Sequence, residues 1–412
     1  MCINVFISSP FLLWAGHGNG YWLSAPGRLL DFVEARIHMK TLIAPFFLAI
    51  ATLSPKAGIC DDIPIISPIF VGQQDTNIIV TDVNPFYFGV VQLVGHKYKP
   101  AGEQFVSGVN LKLGAATSNS DDSLVSLLDD TLLLGRNITR ERGLSVVTSS
   151  VTDAKKIKIG DFSLLPNPSL KSEQSFEFKT FEPAHAIFLG DILVFQGQDG
   201  LNFGLNIMGK GMSPESGIFV GGRELSHDGL QIAGIDRLDK INDELMLITT
   251  NLHSAEENIF KQKKALLLLT SAGTVQRSLD FDSSTFDVFT SEKNIALATM
   301  NGEPGNFQLQ LRYLDQSFKQ IRSSILPIYE AFPAQFKFVE SGDRPLLAVL
   351  GVTSVDLFDA TSGKKSFSFK SEYEITDLIS LLSIQDKLLL FVMLRDHSDK
   401  TSKCAYFELP TF

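Results

Sequence analysis

Tryptophan is almost absent from this 412-residue chain. Both tryptophans, Trp14 and Trp22, lie within residues 1–38, so the remainder cannot belong to repeat families that mark each unit with a Trp-Asp pair or a tryptophan docking motif. Positive charge is also scarce, since 36 Lys and Arg stand against 46 Asp and Glu, for a formal net charge of −10. An acidic surface disfavours binding to phosphates, and we therefore expect no nucleic-acid partner.

Recognisable zinc and nucleophile motifs are missing from the sequence. The seven histidines are scattered, with no pair at the spacing of a zinc site, and no GxSxG nucleophile elbow occurs. The sequence therefore predicts no catalytic residue, no metal ligand and no cofactor.

Two segments come close to known site motifs. Residues 204–211 (GLNIMGKG) nearly spell a phosphate-binding loop, but Gly211 replaces the hydroxyl residue that would hold a metal, and a hairpin turn is the alternative. Residues 280–287 (DFDSSTFD) cluster carboxylates as calcium loops do. They lack the turning glycine of such loops, so that a solvated turn is the alternative.

The N-terminal region predicts export. Residues 1–38 show no sustained periodicity, and we interpret them as an over-extended start. Residues 39–60 (MKTLIAPFFLAIATLSPKAGIC) have the form of a secretory signal peptide, a buried helix being the alternative. The apolar segment from Leu42 to Leu53 is too short to span a bilayer. We expect a secreted or periplasmic protein without a stable membrane span.

Residues 344–369 (RPLLAVLGVTSVDLFDATSGKKSFSF) predict three consecutive strands. An apolar run from Leu346 to Leu350 is typical of a strand buried on both faces, and two alternating runs follow it. The segment between the alternating runs, residues 359–363 (DATSG), has the side chains and the glycine that a tight turn requires. Such a unit needs similar neighbours to bury its faces.

Seven apolar runs of this kind recur, with starts roughly 40 to 60 residues apart. They are residues 77–83, 130–135, 191–196, 243–249, 294–300, 345–351 and 386–394. This spacing predicts an all-β fold over residues 61–412, a seven-bladed β-propeller of four-stranded antiparallel blades, with two tandem β-sandwiches as the alternative. Residues 100–130 are expected to form an irregular connector, and residues 153–179 an insertion in or after the second blade.

One motif carries a family resemblance. Residues 159–162 (IGDF) resemble the opening of an FG-GAP or VCBS-type repeat, the blade of integrin-α-like propellers, and residues 191–209 and 243–248 resemble the strand that follows. In that family a DxDxDG loop binds calcium, but residues 235–240 (IDRLDK) keep only two acids, Asp236 and Asp239. The resemblance implies adhesion or partner binding by degenerate repeats without the calcium loops.

Ring closure suggests a role for two cysteines. A propeller often closes by pairing a strand from one terminus with strands from the other, which would bring Cys60 near Cys404. We predict a disulfide between them. The alternative is signal cleavage after Cys60, which leaves Cys404 a lone buried thiol.

The sequence thus favours an exported binding or scaffold module with a protein or glycan partner. The alternative is a hydrolase or lyase that uses the central channel. A catalytic propeller would gather His, Asp, Glu or Arg at one channel mouth, whereas a binding propeller presents an apolar or mixed rim.

Overall fold

The computed structural model of the chain describes residues 69–74, 78–85, 90–98, 104–112, 131–138, 143–163, 169–226, 229, 231–252, 263–283, 285–303, 306–326, 335–341, 344–351, 353–384, 387–395 and 402–409. All of them belong to one compact unit, Ile63–Phe412. The predicted leader (1–38) and signal peptide (39–60) lie outside the described residues. No helix in the described part is long and apolar enough to cross a bilayer.

The described residues are almost entirely β-strand. The strands of the first half are β1 (Ile69–Gln74), β2 (Ile78–Pro85), β3 (Val90–Tyr98), β4 (Gln104–Lys112), β5 (Thr131–Ile138), β6 (Gly143–Ser150), β7 (Lys156–Ser163), β8 (Ser169–Glu177), β9 (Phe181–Leu189), β10 (Ile192–Asp199), β11 (Asn202–Gly209) and β12 (Ile218–Gly221). A short 3-10 turn (Pro214–Ser216) precedes β12, and a one-turn helix, α1 (Gly222–Leu225), follows it.

The second half continues in the same way. Its strands are β13 (Ile232–Lys240), β14 (Leu245–Leu252), β15 (Lys263–Thr270), β16 (Val275–Asp282), β17 (Thr285–Thr290), β18 (Asn294–Glu303), β19 (Asn306–Asp315), β20 (Gln320–Leu326), β21 (Phe336–Ser341), β22 (Arg344–Leu350), β23 (Ser354–Asp359), β24 (Lys365–Lys370), β25 (Glu374–Ile384), β26 (Lys387–Arg395) and β27 (Ser402–Leu409).

These strands form antiparallel sheets, six of which are four-stranded and one of which, β2–β4, is three-stranded. The all-β prediction and the four-stranded blade are therefore confirmed, but the predicted number is wrong, because the described residues form six four-stranded blades rather than seven. The count failed because an apolar run shows that a sheet is present and does not show how many strands it has.

The first strands of the sheets lie around a common centre. β5 packs against β9, β9 against β13, β17 against β21, β21 against β25, and β25 against β2. Later strands of each sheet lie progressively farther out, which is the arrangement of a β-propeller. We call the first strand of each blade its inner strand and the last its outer strand.

The two ends of the described chain pair with each other. β1 is the outer strand of the last blade, whose order is β25-β26-β27-β1, with Gln74 opposite Cys404. This confirms the predicted pairing of a strand near the N-terminus with the final strand. Cys404 is a free buried thiol, and burial raises its pKa to about 11. Cys60 lies outside the described residues, so the predicted disulfide between Cys60 and Cys404 stays a prediction.

The core lies between successive sheets. Leu347 of β22 has no exposed surface and packs in one cluster with Ala298 and Leu311 of the preceding blade. The second strand of a blade is thus covered on both faces, which explains why it reads as an uninterrupted apolar run. Five of the seven runs are indeed second strands (β10, β14, β18, β22 and β26), whereas residues 77–83 and 130–135 fall on inner strands.

The stretches expected to be irregular contain outer strands. Residues 153–179 hold β7 and β8, the third and fourth strands of a blade rather than an insertion. Residues 100–130 include β4. Residues 113–130 lie outside the described part. The insertion was predicted wrongly because β8 is an outer strand, is exposed along almost its whole length and therefore keeps no apolar pattern.

Residues 344–369 form the three predicted strands, β22, β23 and β24. The turn between β23 and β24 is built by Asp359, whose Oδ1 accepts hydrogen bonds from the backbone N–H of Thr361 at 2.9 Å and of Ser362 at 2.7 Å. Gly363 adopts a φ of +67°, which a residue with a side chain would reach only with strain. The prediction of this turn is confirmed.

Candidate functional site

The two acids kept from the calcium-loop pattern are paired with cations of the protein itself. Asp236 accepts a hydrogen bond from Lys264 Nζ at 2.8 Å, and the same ammonium donates to Asn251 at 2.6 Å. Lys264 is buried and lies 4.9 Å from the centre of the Phe286 ring. Asp239 accepts two hydrogen bonds from Arg237. A calcium site needs carboxylate oxygens that are free to bind the ion, and these are already neutralised.

A second ionic cluster joins three inner strands. Arg237 on β13 donates from Nε to both oxygens of Asp239, at 2.9 and 2.8 Å, and from Nη1 to Asp287 on β17. Asp287 also accepts the backbone N–H of Val288 at 2.9 Å and that of Phe338 on β21. Asp287, the last acid of the 280–287 segment, is therefore a link between blades.

Burial raises the pKa of the Asp287 carboxyl, while Arg237 and two backbone N–H groups act in the opposite direction. Burial also raises the pKa of Asp377 on β25, where Lys337 opposes it. Raised carboxyl pKa values near the centre of a propeller are typical of catalytic sites. A general acid or base must, however, have an oxygen free for the substrate, and both oxygens of Asp287 are occupied. The arrangement is suited to holding blades together.

Two motifs that are far apart in the sequence meet in space. Asp161, within the 159–162 motif, accepts hydrogen bonds from Ser145 at 2.5 Å and Ser172 at 2.9 Å. Lys210, from the phosphate-loop-like segment, donates to the same carboxylate at 2.7 Å. Lys210 follows β11 at a hairpin turn, its N–H bonded to the Asp191 carbonyl at 2.7 Å. The hairpin alternative is confirmed, and the lysine connects the β5–β8 and β9–β12 blades.

We expect Lys210→Met to destabilise the protein by about 0.5–1 kcal/mol at neutral pH, the range for a partly exposed ion pair. Burial opposes ionisation of Asp161, but Lys210 and the serine hydroxyls outweigh it and lower the pKa below 3.8. Stability from such a carboxylate is present above its unfolded pKa and is lost as the pH falls through the folded value. Urea unfolding of the wild type and of Lys210→Met, from neutral pH down to about pH 3, should show that the difference between their free energies of unfolding shrinks. An equal deficit at every pH would assign the effect to packing instead.

A groove of about 670 Å³ lies between the β11–β12 side of the β9–β12 blade and the start of β13. Its apolar lining comes from Leu201 in the β10–β11 turn, from Phe203 on β11, from Phe219 on β12 and from Ile232 on β13. Its charged lining comes from Arg223 and Glu224 of α1. A concave apolar surface with a few polar groups is the usual form of a binding site.

Two glycines allow the aromatic walls of the groove to lie against the backbone. A Cβ atom on Gly222 would lie 2.4 Å from the Phe203 ring, and one on Gly204 would lie 2.7 Å from the Phe219 ring. Neither position can carry a side chain without moving a ring. Phe219 is also fixed by an edge contact with Phe181, with the ring centres 6.1 Å apart. The groove is therefore preformed.

Exposed apolar side chains are concentrated on the same blade. Nine large hydrophobic residues are exposed in the described part of the chain, and four of them belong to this blade. The four are Leu201, Met212, Ile218 and Phe219. Exposed apolar surface beside a groove marks an interaction site more often than single exposed residues do.

The sequence did not predict this groove. Leu201 and Phe219 lie in the ordinary strand-turn-strand pattern of a blade and become neighbours of one cavity only when β12 folds back on β11. One signal was available: residues 218–222 (IFVGG) form an apolar, uncharged segment that is too short for a buried strand.

No protein family description matches this chain, and no curated protein sequence matches it. Solved structures do resemble it. BBS1N, solved in complex with ARL6DN, has 11% identity and a TM-score of 0.40, covering 84% of this chain and 98% of its own. Hsv2 of Kluyveromyces lactis has 11% identity and a TM-score of 0.41, covering 64% of this chain and 73% of its own. At this similarity they carry no statement about function, and FG-GAP membership has no family match to support it.

Proposed function

We propose that this protein is a binding scaffold that holds a protein partner at the groove beside β12. The observation that carries the proposal is the preformed apolar groove, together with the four exposed hydrophobic side chains on its blade. The ionic cluster of the inner strands supports the same interpretation, since the carboxylate of Asp287 is engaged by protein groups. A rigid propeller with a binding rim needs no chemistry at its centre.

The lining of the groove favours a protein partner over a glycan. Leu201 is fully exposed at its edge, and Phe203 and Phe219 offer aromatic surface for an apolar side chain. Arg223 and Glu224 supply one charge of each sign, which suits the mixed polar groups of a peptide backbone. Burying one large apolar side chain contributes about 1.5–3 kcal/mol, enough to anchor a short segment.

Selection from a displayed random-peptide library against the full chain tests this function. We expect the selection to return apolar peptides whose Kd for Leu201→Lys is at least about tenfold higher than their Kd for the wild type, equivalent to about 1.4 kcal/mol. Because Leu201 is fully exposed, the substitution leaves folding unaffected.

Tyr373→Lys is the matched control, since Tyr373 is an exposed hydrophobic residue outside this blade. It should bind the selected peptides as tightly as the wild type does. Selected peptides that bind the wild type, Leu201→Lys and Tyr373→Lys equally would contradict the proposal. Binding of glycans at the groove, without binding of peptides there, would contradict it as well.

We also propose that the chain is exported, on the strength of the signal-peptide pattern of residues 39–60. Mass spectrometry of the secreted or periplasmic protein should then find a mature N-terminus between about residues 52 and 61, where small residues permit cleavage. An intact cytosolic chain that begins at Met1 would contradict it.

A further inference from the structure

Among the six four-stranded blades, one outer strand has an uninterrupted edge. In five blades the register between the outer strand and its neighbour is broken by a bulge, at β1, β8, β16, β20 and β24. β12 pairs with β11 without any shift, from Gly204 opposite Gly221 to Ile207 opposite Ile218. Bulges twist an edge away from further pairing, and β12 lacks this protection.

β12 also lacks charge. The strand reads IFVG, whereas β8, β16, β20 and β24 each carry Lys, Arg, Asp or Glu. Charged side chains on an edge strand are the second common device against pairing with another chain. β1 is uncharged but bulged, so β12 is the one outer strand of the six blades without either device.

The edge of β12 and the groove form one continuous surface. Neighbouring residues of a strand point to opposite faces, so Phe219 lines the groove while Ile218, which is 62% exposed, lies on the other face. A strand added beside β12 would place every second side chain on the Phe219 face. Those side chains would meet Phe219, and the alternate ones would cover Ile218 on the face that also carries Val220 and Phe203.

We propose that the partner binds by strand addition, in which an extended, uncharged segment pairs with β12 at its exposed end, Ile218 and Phe219, and places apolar side chains beside the groove. This inference rests on the proposed function of the groove and adds the mode of binding. Main-chain hydrogen bonds supply affinity in such complexes, and the groove supplies specificity.

A peptide segment fits this edge better than a second copy of the chain does. Two four-residue strands bury far less surface than the roughly 1,200–2,000 Å² of a stable interface between folded proteins. A flexible segment does not need so large a contact, because its side chains can enter the groove as well.

The experiment is an N-methyl scan of the tightest peptide selected from the displayed library, with binding to the full chain measured by calorimetry. Methylation removes one backbone donor at a time, so strand addition predicts a loss of at least tenfold at every second residue and little change between them. Uniform tolerance, or losses without a period of two, would overturn strand addition even if Leu201→Lys still weakens binding, in which case the groove function stands alone.

Ile218→Lys provides a second, independent variant, because it adds to β12 the charge that other outer strands carry. We expect at least a tenfold loss of peptide affinity, with none for Tyr373→Lys. Analytical ultracentrifugation of the wild type should show a monomer. A dimer that Ile218→Lys converts to monomer would overturn the proposal in favour of pairing between two copies.

Discussion

Leu347→Asp is expected to unfold the protein. Leu347 has no exposed surface on β22 and packs between the β17–β20 and β21–β24 blades. An unpaired carboxylate in a dry core costs several kcal/mol, which is comparable with the roughly 5–15 kcal/mol that stabilises a whole domain. Leu389→Asp on β26 should act in the same way, since Leu389 is 3% exposed. Circular dichroism and urea unfolding measure the loss.

Tyr373→Asp is the matched control, because Tyr373 is 49% exposed and lies in the short connection between β24 and β25. It should change the unfolding midpoint little. Soluble Leu347→Asp with an unchanged, cooperative transition would show that β22 is not a core strand.

Arg237→Leu is expected to destabilise the protein by about 2–3 kcal/mol at neutral pH. Loss of one partner from a fully buried pair costs about 3–5 kcal/mol, and we take a lower figure because solvent reaches the 38% of the Arg237 side chain that is exposed. Without the guanidinium, Asp239 and Asp287 are two carboxylates that share one partly buried site. Denaturant unfolding measures the difference.

The effect of Arg237→Leu should depend on pH. A carboxyl whose folded pKa is raised, as that of Asp287 is, favours the folded state most below its unfolded pKa and loses this contribution as the pH rises through the folded value. Removal of Arg237 raises the pKa further, so the deficit should be largest at neutral pH and should shrink on acidification. Arg237→Lys, which keeps the charge, should recover part of the stability. A deficit no larger than that of Arg277→Leu at an exposed position would contradict the role of the cluster.

Strands and turns whose residue pattern depends only on neighbouring residues could be predicted from the sequence. Residues 344–369 carry an apolar run, a turn segment and an alternating run, and each becomes the expected element. These features are local, since a buried middle strand must be apolar on both faces and a tight turn needs residues such as Asp359 and Gly363. The three strands of residues 344–369 could therefore be predicted from the local sequence alone.

Features that depend on solvent exposure or on distant pairing were not predictable. β8 is polar along its length because it is an outer strand, so residues 153–179 read as an insertion. The number of four-stranded blades depends on such outer strands and was overestimated. The pairing of β1 with β27 was predictable only because a propeller must close its ring.

In the candidate site, too, some features could be predicted from the sequence and others could not. Asp161, Lys210 and Asp287 were singled out for their residue type, and the structure makes all three into links between blades. The groove was missed because its walls come from a turn, three strands and a helix that only the fold brings together. Residue type alone does not distinguish a carboxylate that binds a ligand from one that binds a neighbouring blade.

Hydrogen–deuterium exchange of the full chain, with and without a selected peptide, tests the central claim of a rim-binding scaffold most directly. Binding at the groove predicts slower exchange in β12 (Ile218–Gly221) and in the turn around Leu201 that precedes β11. The inner strands β17 and β21 should exchange as in the free protein. Protection confined to those inner strands, around Asp287, would place the ligand at the centre of the propeller and contradict this function.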